Sequence, residues 1–138
     1  MKISQELREK TLLSFEVFPP KTEKGMKNLP GTIDHLMKYK PAYISCTYGA
    51  GGGNVGANRE VCQMIKKAGT TPVTHFTVIK NTKEGIKEQL DQYLAEGVDH
   101  MLALRGDIPL GETTTCGDFN YATDLVKFVR DTYGDKFE

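Results

Sequence analysis

The sequence predicts an α/β fold built from four successive β/α units, and three observations carry that prediction. Short runs rich in β-forming residues alternate four times with longer stretches whose apolar residues are spaced as on one helix face. Glycines stand where helices end in the left-handed conformation. Polar residues recur at intervals of one β-plus-α unit: 31 positions separate Glu16 from Thr47, 28 separate Thr47 from His75, and 30 separate His75 from Arg105.

The first strand is expected over 11–18, ending in Pro19 and Pro20. A helix carrying Ile33, Leu36 and Met37 follows, and Pro30, a residue favoured in the first helical turn, suggests that this helix starts close to it. The second strand is expected over 42–48. The second helix carries Val61, Met64, Ile65 and Ala68 and stops at Gly69. The third strand covers 72–79. Asn81 with Glu84 then resembles a capping box for a helix that carries Ile86, Leu90 and Leu94 and ends at Gly97. The fourth strand is expected over 99–104, and the last helix carries Leu125, Phe128, Val129 and Tyr133 before Gly134. No linker or low-complexity segment divides residues 1–138, which are expected to form a single domain.

Right-handed crossovers turn this order into a parallel sheet with helices packed outside it. The strands look buried on both faces, as parallel strands are, yet polar residues gather at one end of each. Glu16 lies late in the first strand, Thr47 in the second, and His75 and Thr77 in the third. Arg105 and Asp107 lie just beyond the fourth. All strands of a parallel sheet run the same way, so these positions converge on its carboxyl edge, where α/β proteins place their sites. Two architectures stay open on pattern alone. A small doubly wound sheet would be complete with four units, whereas a (β/α)8 barrel needs eight, so these would be half of one.

Eighteen basic residues balance eighteen acidic ones without a run of either sign, which gives no electrostatic reason to expect nucleic acid or an acidic membrane as partner. The first ten residues are polar, and no stretch is apolar for long enough to span a bilayer, so a cytoplasmic protein acting on small molecules is expected. Cys46, Cys62 and Cys116 are odd in number and widely spaced, and they read as mostly buried thiols rather than a disulfide framework or a zinc site.

The run Gly49-Ala50-Gly51-Gly52-Gly53-Asn54-Val55-Gly56 holds the spacing of a dinucleotide fingerprint between a strand and a helix. A ribose-binding acid is expected about 20 residues on, but the strand there, Thr74-His75-Phe76-Thr77-Val78-Ile79-Lys80, has none. The run therefore reads as a strand-to-helix loop above the sheet. Arg105-Gly106-Asp107 has the letters of an adhesion tripeptide, yet its place after a buried strand suits a backbone turn that lets a ligand approach, flanked by a cation and an anion. His75 is either a hydrogen-bonded core histidine or a ligand contact, and the repeat brings contact level with the core reading. His35 and His100 lack that support and read as structural or solvent-facing. Glu16 is either a carboxylate paired with Arg105 or Lys21, or a general acid. A carboxyl in apolar, water-poor surroundings disfavours its charged form and can hold a proton near neutral pH.

Five blocks in order, Phe15-Glu16-Val17-Phe18-Pro19-Pro20-Lys21-Thr22, Ser45 to Gly52, Thr74 to Thr77, Ala103 to Asp107, and Asn120 to Val126, closely resemble the methylenetetrahydrofolate reductases. The resemblance implies a (β/α)8 barrel binding flavin adenine dinucleotide (FAD), of which this chain is the amino-terminal half. It implies transfer of a hydride from NADH or NADPH to 5,10-methylenetetrahydrofolate, giving 5-methyltetrahydrofolate. Glu16 matches the family's catalytic acid, which protonates the folate as its five-membered ring opens to an iminium. Thr47, His75, Arg105, Gly106 and Asp107 match positions lining the flavin, and Asp107 also matches a catalytic aspartate near the flavin ring and the pterin. Tyr121 and Ala122 match a segment bordering the adenine end. Half a barrel leaves strand edges and its inner sheet face open, so a homo-oligomer or pairing with the remainder of the barrel is expected. The alternatives are an inactive fragment, and a flavin-binding or assembly module that kept the sequence without turnover. A doubly wound nicotinamide-binding domain that uses Gly51 and Gly53 is a further one.

Overall fold

The computed structural model describes residues 2–48 and 55–138. Gly51 and Gly53 of the glycine run lie outside the described residues. The chain forms helix α1 (Ile3–Glu9), strand β1 (Ser14–Val17), helix α2 (Glu23–Met37), strand β2 (Tyr43–Cys46) and helix α3 (Val55–Ala68). Strand β3 (Thr71–Thr77), helix α4 (Lys83–Ala95), strand β4 (Met101–Leu104) and helix α5 (Ala122–Tyr133) complete it.

The four strands make one parallel sheet in the order β1-β2-β3-β4. A doubly wound sheet reverses its strand order at a switch point; here neighbours in sequence are neighbours in space throughout, so that alternative is set aside in favour of four consecutive units of a barrel. The predicted strands are longer than those observed, because only the residues that reach a neighbouring strand join the ladder.

The period of two divides each strand between two environments. One set of side chains, Val17, Ile44, Cys46 and Phe76 among them, faces the helices and packs with Ile33, Val61, Ile65, Ile86, Leu90 and Leu125 in a single buried core. The other set includes Ser14, Glu16, Tyr43, Ser45, Val73, His75 and Leu102 and lines an open concavity of about 500 Å³. Burial on both faces was expected and holds for the central strands β2 and β3, where Ser45, Val73, His75 and Thr77 are buried on the inner side. It does not hold for β1 and β4: Glu16 is exposed and Leu102 is 46% exposed, because no described residues cover the inner side there.

Helix boundaries follow their caps. The Thr22 hydroxyl accepts the Gly25 amide at 3.0 Å and starts α2 at Glu23, so Pro30 lies inside that helix and not at its beginning. The cap outweighs the single backbone donor that proline removes. The cap of α4 is Thr82, whose hydroxyl accepts the Gly85 amide at 3.0 Å; Asn81, expected there, spends its side chain elsewhere. Gly69, Gly97 and Gly134 all have positive φ, as expected of them.

Helix α1 was not anticipated. Its Ile3 and Leu7 lean over the amino end of the concavity, and its first turn is capped from the far end of the chain. The Glu138 carboxylate accepts the Ile3 amide at 2.9 Å and the Ser4 amide at 2.5 Å. Its Oε2 also lies 3.2 Å from His100 Nε2, and His100 Nδ1 lies 2.7 Å from Asp99. The Glu138 backbone bridges the free edge of β4, its amide donating to Asp99 and its carbonyl accepting from Met101, both at 2.8 Å, as the start of a fifth parallel strand would.

Candidate functional site

The expected polar positions do converge. The Thr47 amide donates to the Val17 carbonyl at 3.0 Å, carrying the β1–β2 ladder one step past the strand, and the Val78 amide does the same to Leu104 at 3.2 Å for β3 and β4. These bonds fix the carboxyl edge of the sheet. There Thr47, His75, Thr77, Arg105, Gly106 and Asp107 line one concavity of about 370 Å³. His75 also borders the larger inner-face concavity, where its Nε2 stands 3.5 Å from Oε2 of Glu16.

The turn after β4 depends on its glycine. Gly106 has φ +85°, and a Cβ there would meet the Ile79 and Thr77 Cβ atoms at 3.0 and 3.2 Å, so only glycine lets the turn press against the end of β3. Arg105 folds its Nε onto the Gly106 carbonyl at 3.0 Å and, like Asp107, is exposed. Glu16 therefore has neither of its expected ion partners; His75 is the charged-capable group beside it. The expected desolvation of Glu16 is also missing, since its side chain is 61% exposed on the uncovered sheet face.

His75 is buried, and burial pushes its pKa below the ordinary 6.5 while the Glu16 carboxylate pulls part of the way back. The imidazole is thus neutral at pH 7, beside a carboxylate. A histidine lowered in the fold binds fewer protons than the unfolded chain as the pH drops below 6.5, so stability falls from there down to the folded pKa. His75→Asn is expected to flatten this acid-side loss in urea titrations run between pH 7.5 and 5; an unchanged slope would assign the loss to other groups.

Thr77 adds a further feature. Its Oγ1 is buried and has no hydrogen-bond partner among the described residues, which costs stability unless a ligand or solvent supplies one. Together, a neutral imidazole, an orphaned hydroxyl, a backbone turn free of side chain and flanking charges of both signs suit a polar, ring-bearing ligand. No group of three or more metal-ligating side chains occurs among the described residues.

The family's sequence pattern, described as methylenetetrahydrofolate reductase, matches residues 2–138. The chain belongs to the methylenetetrahydrofolate reductase family. Among its relatives is a probable methylenetetrahydrofolate reductase (NADH) of Oryza sativa subsp. japonica, 34% identical over 99% of this chain and 25% of the relative. Methylenetetrahydrofolate reductase (NADH) 1 of Arabidopsis thaliana is 37% identical over 92% of this chain and 22% of its own length. The 5,10-methylenetetrahydrofolate reductase of Pectobacterium carotovorum subsp. carotovorum is 35% identical over 91% of this chain and 42% of its own length. The chain thus spans less than half the length of these reductases.

Of the positions that the reductase resemblance singles out, Glu16, Thr47, His75, Arg105, Gly106 and Asp107 come together at the sheet. Tyr121 and Ala122 stand apart from that concavity at the amino end of α5, where the Asp124 carboxylate accepts the Tyr121 amide at 2.9 Å and the Tyr121 ring is 64% exposed. Sequence reasoning missed Asn58. Fully buried on α3, it donates to the Cys46 and Thr47 carbonyls, both at 3.0 Å, and accepts from Thr74 Oγ1 at 2.8 Å and the Tyr93 hydroxyl at 2.6 Å. The signal was present: Asn58, Val61, Cys62 and Ile65 share one helix face, so the polar residue interrupts an apolar stripe. Cys46 and Cys62 are buried as expected, whereas Cys116 is exposed.

Proposed function

We propose that this chain carries the amino-terminal half of a methylenetetrahydrofolate reductase barrel, with its proton donor and part of its flavin site. The observation that carries the reading is the convergence of Thr47, His75, Thr77, Arg105, Gly106 and Asp107 on one concavity, with Glu16 beside His75. Bound FAD supplies the hydride chemistry, from NADH or NADPH to 5,10-methylenetetrahydrofolate. Two of the relatives described above carry NADH in their names, which favours NADH as donor.

Glu16, in its protonated form, donates that proton to a ring nitrogen of the folate. Neutral His75 orients that carboxyl without neutralising it. Thr47, Thr77 and Arg105 offer donors to the flavin, and Gly106 removes the Cβ that would hold it off. Asp107 places a negative charge at the ring, and Tyr121 with Ala122 borders the adenine end. The open inner face and the β4 edge are covered by the remainder of a barrel or by a second copy. No helix among the described residues is long and apolar enough to cross a membrane.

A second reading, a flavin-binding or assembly module without turnover, is favoured by the exposure of Glu16. If the chain completes its flavin site by pairing with a second copy, the purified protein, mixed with FAD and passed through a desalting column, retains a visible flavin band. A colourless protein would deny this chain a flavin site of its own. Folate reduction by the retained complex would then separate enzyme from module.

A further inference from the structure

Behind the concavity runs a chain of hydrogen bonds for which the proposed chemistry has no use. The Tyr48 hydroxyl, just past β2, donates to Gln89 Oε1 at 2.7 Å. Gln89 Nε2 donates to Asn81 Oδ1 at 3.2 Å, and Asn81 Nδ2 donates to the Thr77 carbonyl at 3.3 Å. The chain joins the ends of β2 and β3 through a residue on α4 that does not itself line the concavity.

Its polarity is set from one end. A backbone carbonyl only accepts, so Asn81 must present its amide nitrogen to Thr77 and its oxygen to Gln89. Gln89 must then present its own nitrogen to Asn81, which leaves its oxygen for a donor, the Tyr48 hydroxyl. Burial raises the Tyr48 phenol, with Asn81 opposing, so the hydroxyl keeps its proton at neutral pH. The Asn81 backbone is held as well: its carbonyl accepts the Asp118 amide at 3.1 Å, and a Cβ on Gly117 would lie 2.5 Å from that carbonyl. One end of the relay is therefore anchored to the β4–α5 loop.

We propose that Gln89 is a positioning residue of this site, holding Tyr48 and Thr77 at a fixed separation so that the concavity between the ends of β2 and β3 keeps the shape a flavin needs. The proposal rests on the flavin reading above. It predicts that a change at Gln89 acts on ligand affinity through Thr77, and on mobility only at the two strand ends.

The test uses this chain, unaltered and as Gln89→Leu, which keeps the volume but offers no polar atom, and Gln89→Glu, which keeps the acceptor for Tyr48 but no donor for Asn81. In both variants the Thr47 and Val78 amides are expected to exchange with solvent at least about tenfold faster, while core amides such as Ile33 and Ile44 keep their rates. FAD affinity, followed by fluorescence quenching, is expected to weaken about fivefold in Gln89→Leu. In a Thr77→Val background the same change is expected to weaken it less than twofold, since the group through which it acts is gone. Equal FAD affinity in the variants and the unaltered chain would overturn the proposal. So would exchange that is unchanged at both strand ends or accelerated uniformly along the chain. If the unaltered chain binds no FAD, the flavin reading fails, and the exchange comparison still decides whether Gln89 holds the strand ends.

Discussion

Glu16→Gln is expected to lower folate reduction by the assembled enzyme at least about a hundredfold, while FAD stays bound and is still reduced by the nicotinamide nucleotide. The amide keeps the shape of the carboxyl and can still face His75, 3.5 Å away, but it has no proton of suitable acidity to give. The loss should therefore fall on the folate half-reaction alone. Stopped-flow absorbance that follows flavin reduction and reoxidation separately makes the comparison. Ordinary reoxidation by 5,10-methylenetetrahydrofolate in the variant would remove Glu16 from the chemistry. Loss of flavin reduction as well would mean that Glu16 shapes the pocket rather than supplying a proton.

Asn58→Leu is expected to cost about 4 kcal/mol of folding stability or more, a large share of what a domain of this size has. Leucine fits the volume and suits the apolar stripe of α3, so a simple hydrophobic account predicts little harm or even a gain. The hydrogen bonds decide otherwise. Removing the carboxamide takes a partner from the Cys46 and Thr47 carbonyls and from the Thr74 and Tyr93 hydroxyls; Thr74 keeps the His75 carbonyl at 3.1 Å, whereas the buried Tyr93 hydroxyl loses its acceptor. Urea unfolding of both proteins measures the difference, and a loss below 1 kcal/mol would show that water or relaxation replaces the hub. A variant that folds should still hold Thr47 less firmly, because Asn58 grips the backbone from which that side chain projects.

Much of the fold was legible because local patterns and global topology agreed. The unit repeat pointed to Glu16, Thr47, His75 and Arg105 gathering at one edge. The pairing sets Glu16 beside Ser45 and His75 beside Leu102, so Glu16 and Arg105 are offset from His75 by two and three residues along the strands, yet a parallel sheet still brings all four to its carboxyl side. What escaped was non-local. Pro30 and Asn81 are good local signals for a helix start, yet the hydroxyls of Thr22 and Thr82 fix those starts instead. Helix α1 has no side-chain cap of its own, since its cap arrives from Glu138. The burial of Glu16 failed as an expectation for a similar reason: a side chain pointing from a strand into a barrel is desolvated by strands on the opposite side, not by its sequence neighbours. The core, by contrast, is made by adjacent units and was readable from spacing.

The clasp between Glu138 and α1 also orders events in time. Ile3 and Ser4 are synthesised well before the carboxylate that quiets their amides, which lies 135 and 134 positions later. A seven-residue helix without that partner is too short to persist in water. Helix α1, made before the four strands, is thus the last of these elements to settle, and it docks only when the β4 edge has received Glu138. Protection of the first turn of α1 during synthesis would serve as a clock for completion of all four units.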